Sequence, residues 1–77
     1  MRKVIWHSPI FGRCVAREQQ EEPAGTRVAY VETEGSEGTL AGAIYMHGTW
    51  HTRSNKPLQG KVVAWFRLED ENGKALF

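Results

Sequence analysis

The sequence predicts an all-β or β-rich α+β fold: a small twisted antiparallel sheet of four to six strands, with at most one helical turn. Three observations carry this. Turn residues recur at the 8–12-residue spacing of all-β chains, and no segment sustains a 3.6-residue apolar period. The stretch Lys61-Val62-Val63-Ala64-Trp65-Phe66-Arg67-Leu68 is apolar on both faces of an extended chain. Val62, Ala64, Phe66 and Leu68 share one face, while Val63, Trp65 and Arg67 share the other, so the strand belongs inside a sheet. Trp65 is the expected buried centre.

The remaining elements follow in chain order. Val4-Ile5-Trp6 is a short strand, broken by His7-Ser8-Pro9 because proline lacks a donor and holds the residue before it extended. Ile10–Arg17 is a second strand with a bend at Gly12. Glu18-Gln19-Gln20-Glu21-Glu22 has helical propensity but no apolar stripe, and supports one turn at most before Pro23. Thr26–Thr33 reads as a strand, Glu34-Gly35-Ser36-Glu37-Gly38 as a glycine-bearing turn, and Thr39–Met46 as the return strand. Ala41, Gly42 and Ala43 leave room there for a bulky neighbour, for which Trp65 is the natural candidate. His47-Gly48 turns into Thr49–Arg53, a short strand with Trp50 and Thr52 on one face. A loop at Ser54–Pro57 leads to the core strand, and Asn72–Phe77 is a tail or a last short strand. In sequence order these strands suggest a meander forming one domain over residues 1–77.

Composition narrows the function classes. A chain of 77 residues has a marginal core, so self-association into a homodimer or higher oligomer is expected. Cys14 is the one cysteine, which excludes an internal disulfide and argues against a secreted scaffold. No run approaches the ~20 apolar residues of a membrane span, so a cytoplasmic protein is expected. The net charge of +1 gives no bulk case for nucleic acid, though the charge is uneven. Residues 1–17 carry Arg2, Lys3, Arg13 and Arg17 without an acid. Residues 18–38 carry six glutamates against Arg27 alone, either a solvated loop or an acidic binding face.

Catalytic and metal chemistry find little support. His47 and His51 stand four apart, but Gly48 makes that stretch a turn, where such spacing need not converge on a metal. Cys14 lies in an alternating apolar segment and reads as a small buried hydrophobe. Ser8, Ser36 and Ser54 lack a nucleophile-elbow pattern. No catalytic residue, metal ligand or cofactor is therefore assigned. The eight aromatics are more informative. Tyr45 and Trp50 beside His47, His51 and Arg53 combine stacking surface, donors and a forked cation, with Glu34 and Glu37 on the adjacent loop. These seven residues are the candidate binding site for a partner protein or a nucleotide. The competing reading is that Trp50 closes the end of the sheet.

From about Val15 to Asp70 the chain resembles the small bacterial and phage proteins grouped as "domain of unknown function 551". The likeness rests on Glu22-Pro23-Ala24-Gly25-Thr26-Arg27-Val28, Gly42-Ala43-Ile44-Tyr45, His47-Gly48-Thr49-Trp50 and Val63–Glu69. Arg67 and Glu69 stand where that family has prolines, Val15 stands where it usually opens with tryptophan, and residues 1–14 form an N-terminal extension. The resemblance implies a compact β-rich fold and a mobile-element origin, and names no activity. For a small phage or prophage accessory protein, the leading expectation is inhibition of a bacterial defence component by binding it. A nucleotide-signal sponge acting at an oligomer interface is the alternative, and a nucleic-acid-binding module ranks third.

Overall fold

The computed structural model describes residues 1–76. Their strands are β1 (Lys3–Ser8), β2 (Gly12–Gln19), β3 (Arg27–Thr33), β4 (Ala41–Met46), β5 (Thr49–His51) and β6 (Val62–Glu69). Every pairing is antiparallel, in one open sheet of order β1-β2-β6-β3-β4-β5. The fold class is thus all-β, and no helix forms among the described residues.

The chain is not the simple meander its order suggests, because β6 inserts between β2 and β3. The reason lies in its two apolar faces. A strand that must bury both sides is stable only in the interior of a sheet, where neighbours on either flank supply side chains to each face. Overall extents of 32 × 26 × 24 Å show that the sheet coils, since a flat one would be about 10 Å thick.

Coiling creates two side-chain layers, back to back on the β6–β3 pair. On one face Cys14, Ala16, Tyr30, Ala64, Phe66 and Leu68 form the core, with Val4, Trp6, Leu40 and Leu76 packed against it. Trp6 and Tyr30 meet edge to face at 4.6 Å although two strands separate β1 from β3. The small residues Cys14, Ala16 and Ala64 on that face leave room for this. On the other face Ala29, Val31 and Ala43 are fully buried, and Tyr45 nearly so.

Local chemistry sets the ends of the strands. Ser8 Oγ accepts from the Ile10 and Phe11 N–H groups and fixes the turn before β2. His47 and Gly48 have φ of 53° and 79°, the left-handed pair that a two-residue hairpin turn demands between β4 and β5.

Several expectations change. Phe66, not Trp65, is the fully buried centre; Trp65 lies on the second face and is half-buried. No helical turn forms at Glu18–Glu22, because pairing of Glu18 and Gln19 with Phe66 and Trp65 extends β2. A five-residue tract is too short to nucleate a helix against that competition. The space at Gly42 is taken by Arg53 rather than by Trp65: a Cβ there would lie 2.7 Å from Arg53 Nε. The strands expected at Val4–Trp6 and Ile10–Arg17 do form, and residues 1–14 contribute β1, the start of β2 and the core residues Val4, Trp6 and Cys14. The tail bridges back from Ala75 to Glu69 and docks Leu76 on the core. Phe77, the end of that expected tail, lies outside the described residues.

Candidate functional site

The alternation of side chains along a strand divides the predicted site. Trp50 pairs with Tyr45 across β4–β5, and their rings meet edge to face at 5.0 Å. His51 pairs with Ile44 and therefore belongs to the opposite face. Arg53 joins that opposite face, its guanidinium 6.0 Å from the Tyr30 ring. His47 is exposed in the hairpin turn. Glu34 and Glu37 are exposed in the β3–β4 turn, where Glu37 accepts from the Gly35 N–H. Of the seven residues, the structure brings together Tyr45 and Trp50, leaves His51 at the end of the groove that Trp50 lines although its register sets it on the other face, and places Arg53 apart from them.

What joins Tyr45 and Trp50 instead is Trp65. The two indoles stand 6.1 Å apart, on the face whose small residues Ala29 and Ala43 leave space between β6 and β5. Trp65 Nε1 donates to the Glu21 carbonyl at 2.7 Å, which ties the segment after β2 to the sheet. The Arg27 guanidinium lies 5.9 Å from the Trp65 ring on this side as well. Tyr45 Oη donates to Glu22 at 3.5 Å, and burial together with the Glu22 charge pushes the phenol above its ordinary range. Around the indoles lies a half-open groove of about 860 Å³. Trp50, Pro57 and Leu58 form one wall and Val63 and Trp65 the other, with the Glu18–Glu22 run along the rim. Val63 is 46% exposed and Glu21 and Glu22 are exposed, so apolar wall and acidic rim are both accessible.

Charges segregated in sequence are paired in space. Arg2 forms a bidentate pair with Glu32 (2.7 and 3.2 Å) and reaches Glu18 Oε1 with its Nε at 2.8 Å. Glu32 is buried and also accepts from the Gly38 N–H at 2.8 Å, so it links the N-terminus to the β3–β4 turn. Arg17 and Arg67 both donate to the buried Glu69, at 2.9 and 2.6 Å. Arg13 approaches Glu71 at 4.0 Å. The arginine hydrogen bonds hold the carboxyls of Glu18, Glu32 and Glu69 below their ordinary range. Arg2 is held in its charged form by the same contacts, Glu32 first. Carboxylates clamped in this way are poor proton carriers and serve to fix the fold.

Glu32 and Glu69 were not among the sequence candidates. Their signal was an acid inside an apolar alternation, Glu32 two residues after Tyr30 and Glu69 directly after Leu68. Cys14 is buried as expected; its Sγ lies 3.5 Å from the Trp6 carbonyl, and burial pushes its pKa up. Among the described residues no group of three or more His, Cys, Asp or Glu side chains could hold a metal ion. No helix among them is long and apolar enough to cross a membrane. No family model matches the chain, and neither does any curated protein or solved structure.

Proposed function

We propose that the chain is a non-catalytic binding module that takes a short segment of a partner protein into the Trp50–Trp65 groove. The segment it fits carries an apolar or aromatic anchor and flanking Lys or Arg residues. One observation carries the reading: two neighbouring indoles line an open groove whose rim is acidic. Aromatic walls supply most of the contact energy in such sites, and the rim charge selects the partner. With the mobile-element origin that the resemblance implies, the partner is a host defence component in the bacterial cytoplasm, and its occlusion is the function. A nucleotide sponge or nucleic-acid module has less support, because beside the indoles Glu21 and Glu22 outnumber Arg27, the cation near Trp65 that could meet a phosphate.

The test is titration of tryptophan fluorescence with an Arg/Leu-alternating peptide and its Glu/Leu counterpart. Preferential binding of the basic peptide is expected, weakening as salt screens the rim. Val63→Lys, at an exposed wall position, should weaken binding about tenfold or more while leaving the fold intact. Equal affinity for the two peptides, no response to either, or undiminished binding by Val63→Lys would overturn the proposal.

A further inference from the structure

The two edges of the sheet differ. Beyond β5 the chain turns back on itself: the Leu58 N–H donates to the Trp50 carbonyl at 3.2 Å, and Pro57 bridges His51. That edge is covered along β5, and only Ala41–Ala43 of β4 extend past it. The β1 edge has no such cover among the described residues. Its open groups can be identified from the ladder. The Glu18 N–H donates to the Arg2 carbonyl at 2.9 Å, so residues 2, 4, 6 and 8 direct their backbone toward β2. Antiparallel alternation then leaves the N–H and C=O groups of Lys3, Ile5 and His7 pointing outward. At the middle of this row the Ile5 side chain is 55% exposed.

We propose that β1 pairs with β1 of a second copy of this chain, antiparallel about a twofold axis through Ile5. Ile5 lies opposite its own counterpart in this register, and Lys3 lies opposite His7 of the second copy. Within the bounds of β1 this is the register that pairs all three outward residues, each contributing its donor and its acceptor. A register shifted by one residue would set the two faces of the sheet against each other. The twofold places the exposed, β-branched Ile5 side chains side by side at the centre, the type of cross-strand pair that stabilises sheets.

Charge does not oppose the pairing. Arg2 and Arg17 are held within their own chain by Glu18 and Glu32 and by Glu69, and Arg13 lies 4.0 Å from Glu71. The two Lys3 residues of the row stand four residues apart along the seam, about 14 Å, beyond a Debye length. The second copy therefore meets a strand edge rather than a field of free cations. A single strand-edge seam is small by the standard of stable interfaces, so a reversible dimer is expected. Such a dimer would be a continuous sheet with both Trp65-bearing faces on the same side. Five strand spacings, about 24 Å across the strands, would separate the two Trp65 positions, with a further offset of about eight residues, about 27 Å, along them.

The seam depends on the β1 edge alone and stands or falls apart from the groove. Sedimentation velocity of the full chain up to about 500 µM is expected to show a concentration-dependent dimer. Ile5→Lys, at a position already mostly exposed, should weaken it about tenfold or more. Register is read by oxidative cross-linking. Facing residues of a hydrogen-bonded antiparallel pair lie about 5.5 Å apart between Cα atoms, within disulfide reach. Ile5→Cys should form a covalent dimer, whereas Lys3→Cys, whose counterpart faces His7, should not. Cys14 is buried and does not compete. Monomer at every concentration, full dimerisation by Ile5→Lys, or equal cross-linking by the two cysteine variants would overturn the proposal. A dimer built on the groove would also survive Ile5→Lys and count against it.

Discussion

Phe66→Ala and Val63→Ala, two substitutions on the same strand, test the assignment of the core. Phe66 is fully buried, between Glu18 of β2 and Tyr30 of β3, with the Arg2 guanidinium 5.4 Å from its ring. Truncating an aromatic at such a site removes its transfer energy and leaves a cavity, for a cost of about 3–5 kcal/mol. A chain of 77 residues has a total stability of roughly 4–12 kcal/mol, so this single change consumes a large part of it. Val63 is 46% exposed, on the other face, and loses about two methylene equivalents that are only half removed from water. Its truncation should cost no more than about 1 kcal/mol. Urea unfolding followed by circular dichroism reads both. With a denaturant slope of about 1 kcal/mol per molar for a small domain, Phe66→Ala should lose about 3 M or more in midpoint, or fail to fold. Val63→Ala should lose about 1 M or less. Equal midpoints for the two variants would refute the division of β6 into a buried and an open face.

The remaining predictions concern charge and the Gly42 contact. Glu18, Glu32 and Glu69 have folded pKa values below their ordinary 4.5, so the unfolded chain binds protons at a pH where the fold does not. Their stabilisation is complete above that value and is lost as the pH falls through the lowered folded values. The urea midpoint should be flat from pH 8 to about 5 and fall below it, with up to three protons taken up on unfolding, about one fewer in Glu69→Gln. A midpoint that stays level down to pH 3 would contradict the arginine clamps. At Gly42, an added Cβ displaces the flexible end of Arg53 rather than backbone. Gly42→Ala should therefore change stability by less than about 1 kcal/mol, the strand gain offsetting the lost Arg53–Tyr30 contact. In a double-mutant cycle with Arg53→Ala a coupling of about 0.5–1 kcal/mol is expected. Strict additivity would mean that Arg53 does not rest on that face.

The strands were legible in the sequence because alternation is a local property. Val62–Leu68 announced an interior strand, Thr26–Thr33 and Thr39–Met46 announced their hairpin, and His47-Gly48 announced a two-residue turn. The place of β6 between β2 and β3 was not legible in sequence order, since it is fixed by which neighbours can cover both of its faces. The site suffered for a related reason. Nearness in sequence grouped Trp50, His51 and Arg53, but adjacent residues of a strand point to opposite sides. The partner that completes the aromatic pair, Trp65, lies fifteen positions beyond Trp50 and reaches it only because the sheet coils. The basic N-terminus and the glutamate-rich middle looked like separate surfaces. Several of their charges neutralise one another, a long-range pairing that no local pattern reports.

The two layers on β6–β3 explain how so small a chain can combine a sealed core with an open aromatic groove. Phe66, Leu68 and Tyr30 bury one face completely, while Arg2 and Glu32 tie the N-terminus and the β3–β4 turn to that side. The opposite face then need not be sealed. Its small floor of Ala29, Val31 and Ala43 is covered by aromatic side chains that themselves remain partly exposed. Trp65 is held by a hydrogen bond from its indole to the Glu21 carbonyl as well as by packing, so its orientation is set before anything binds. Preorganised aromatic walls lose little conformational entropy on association, which is where small binding modules gain affinity. The sealed core and the open aromatic groove thus lie on opposite sides of one strand, one residue apart at Phe66 and Trp65.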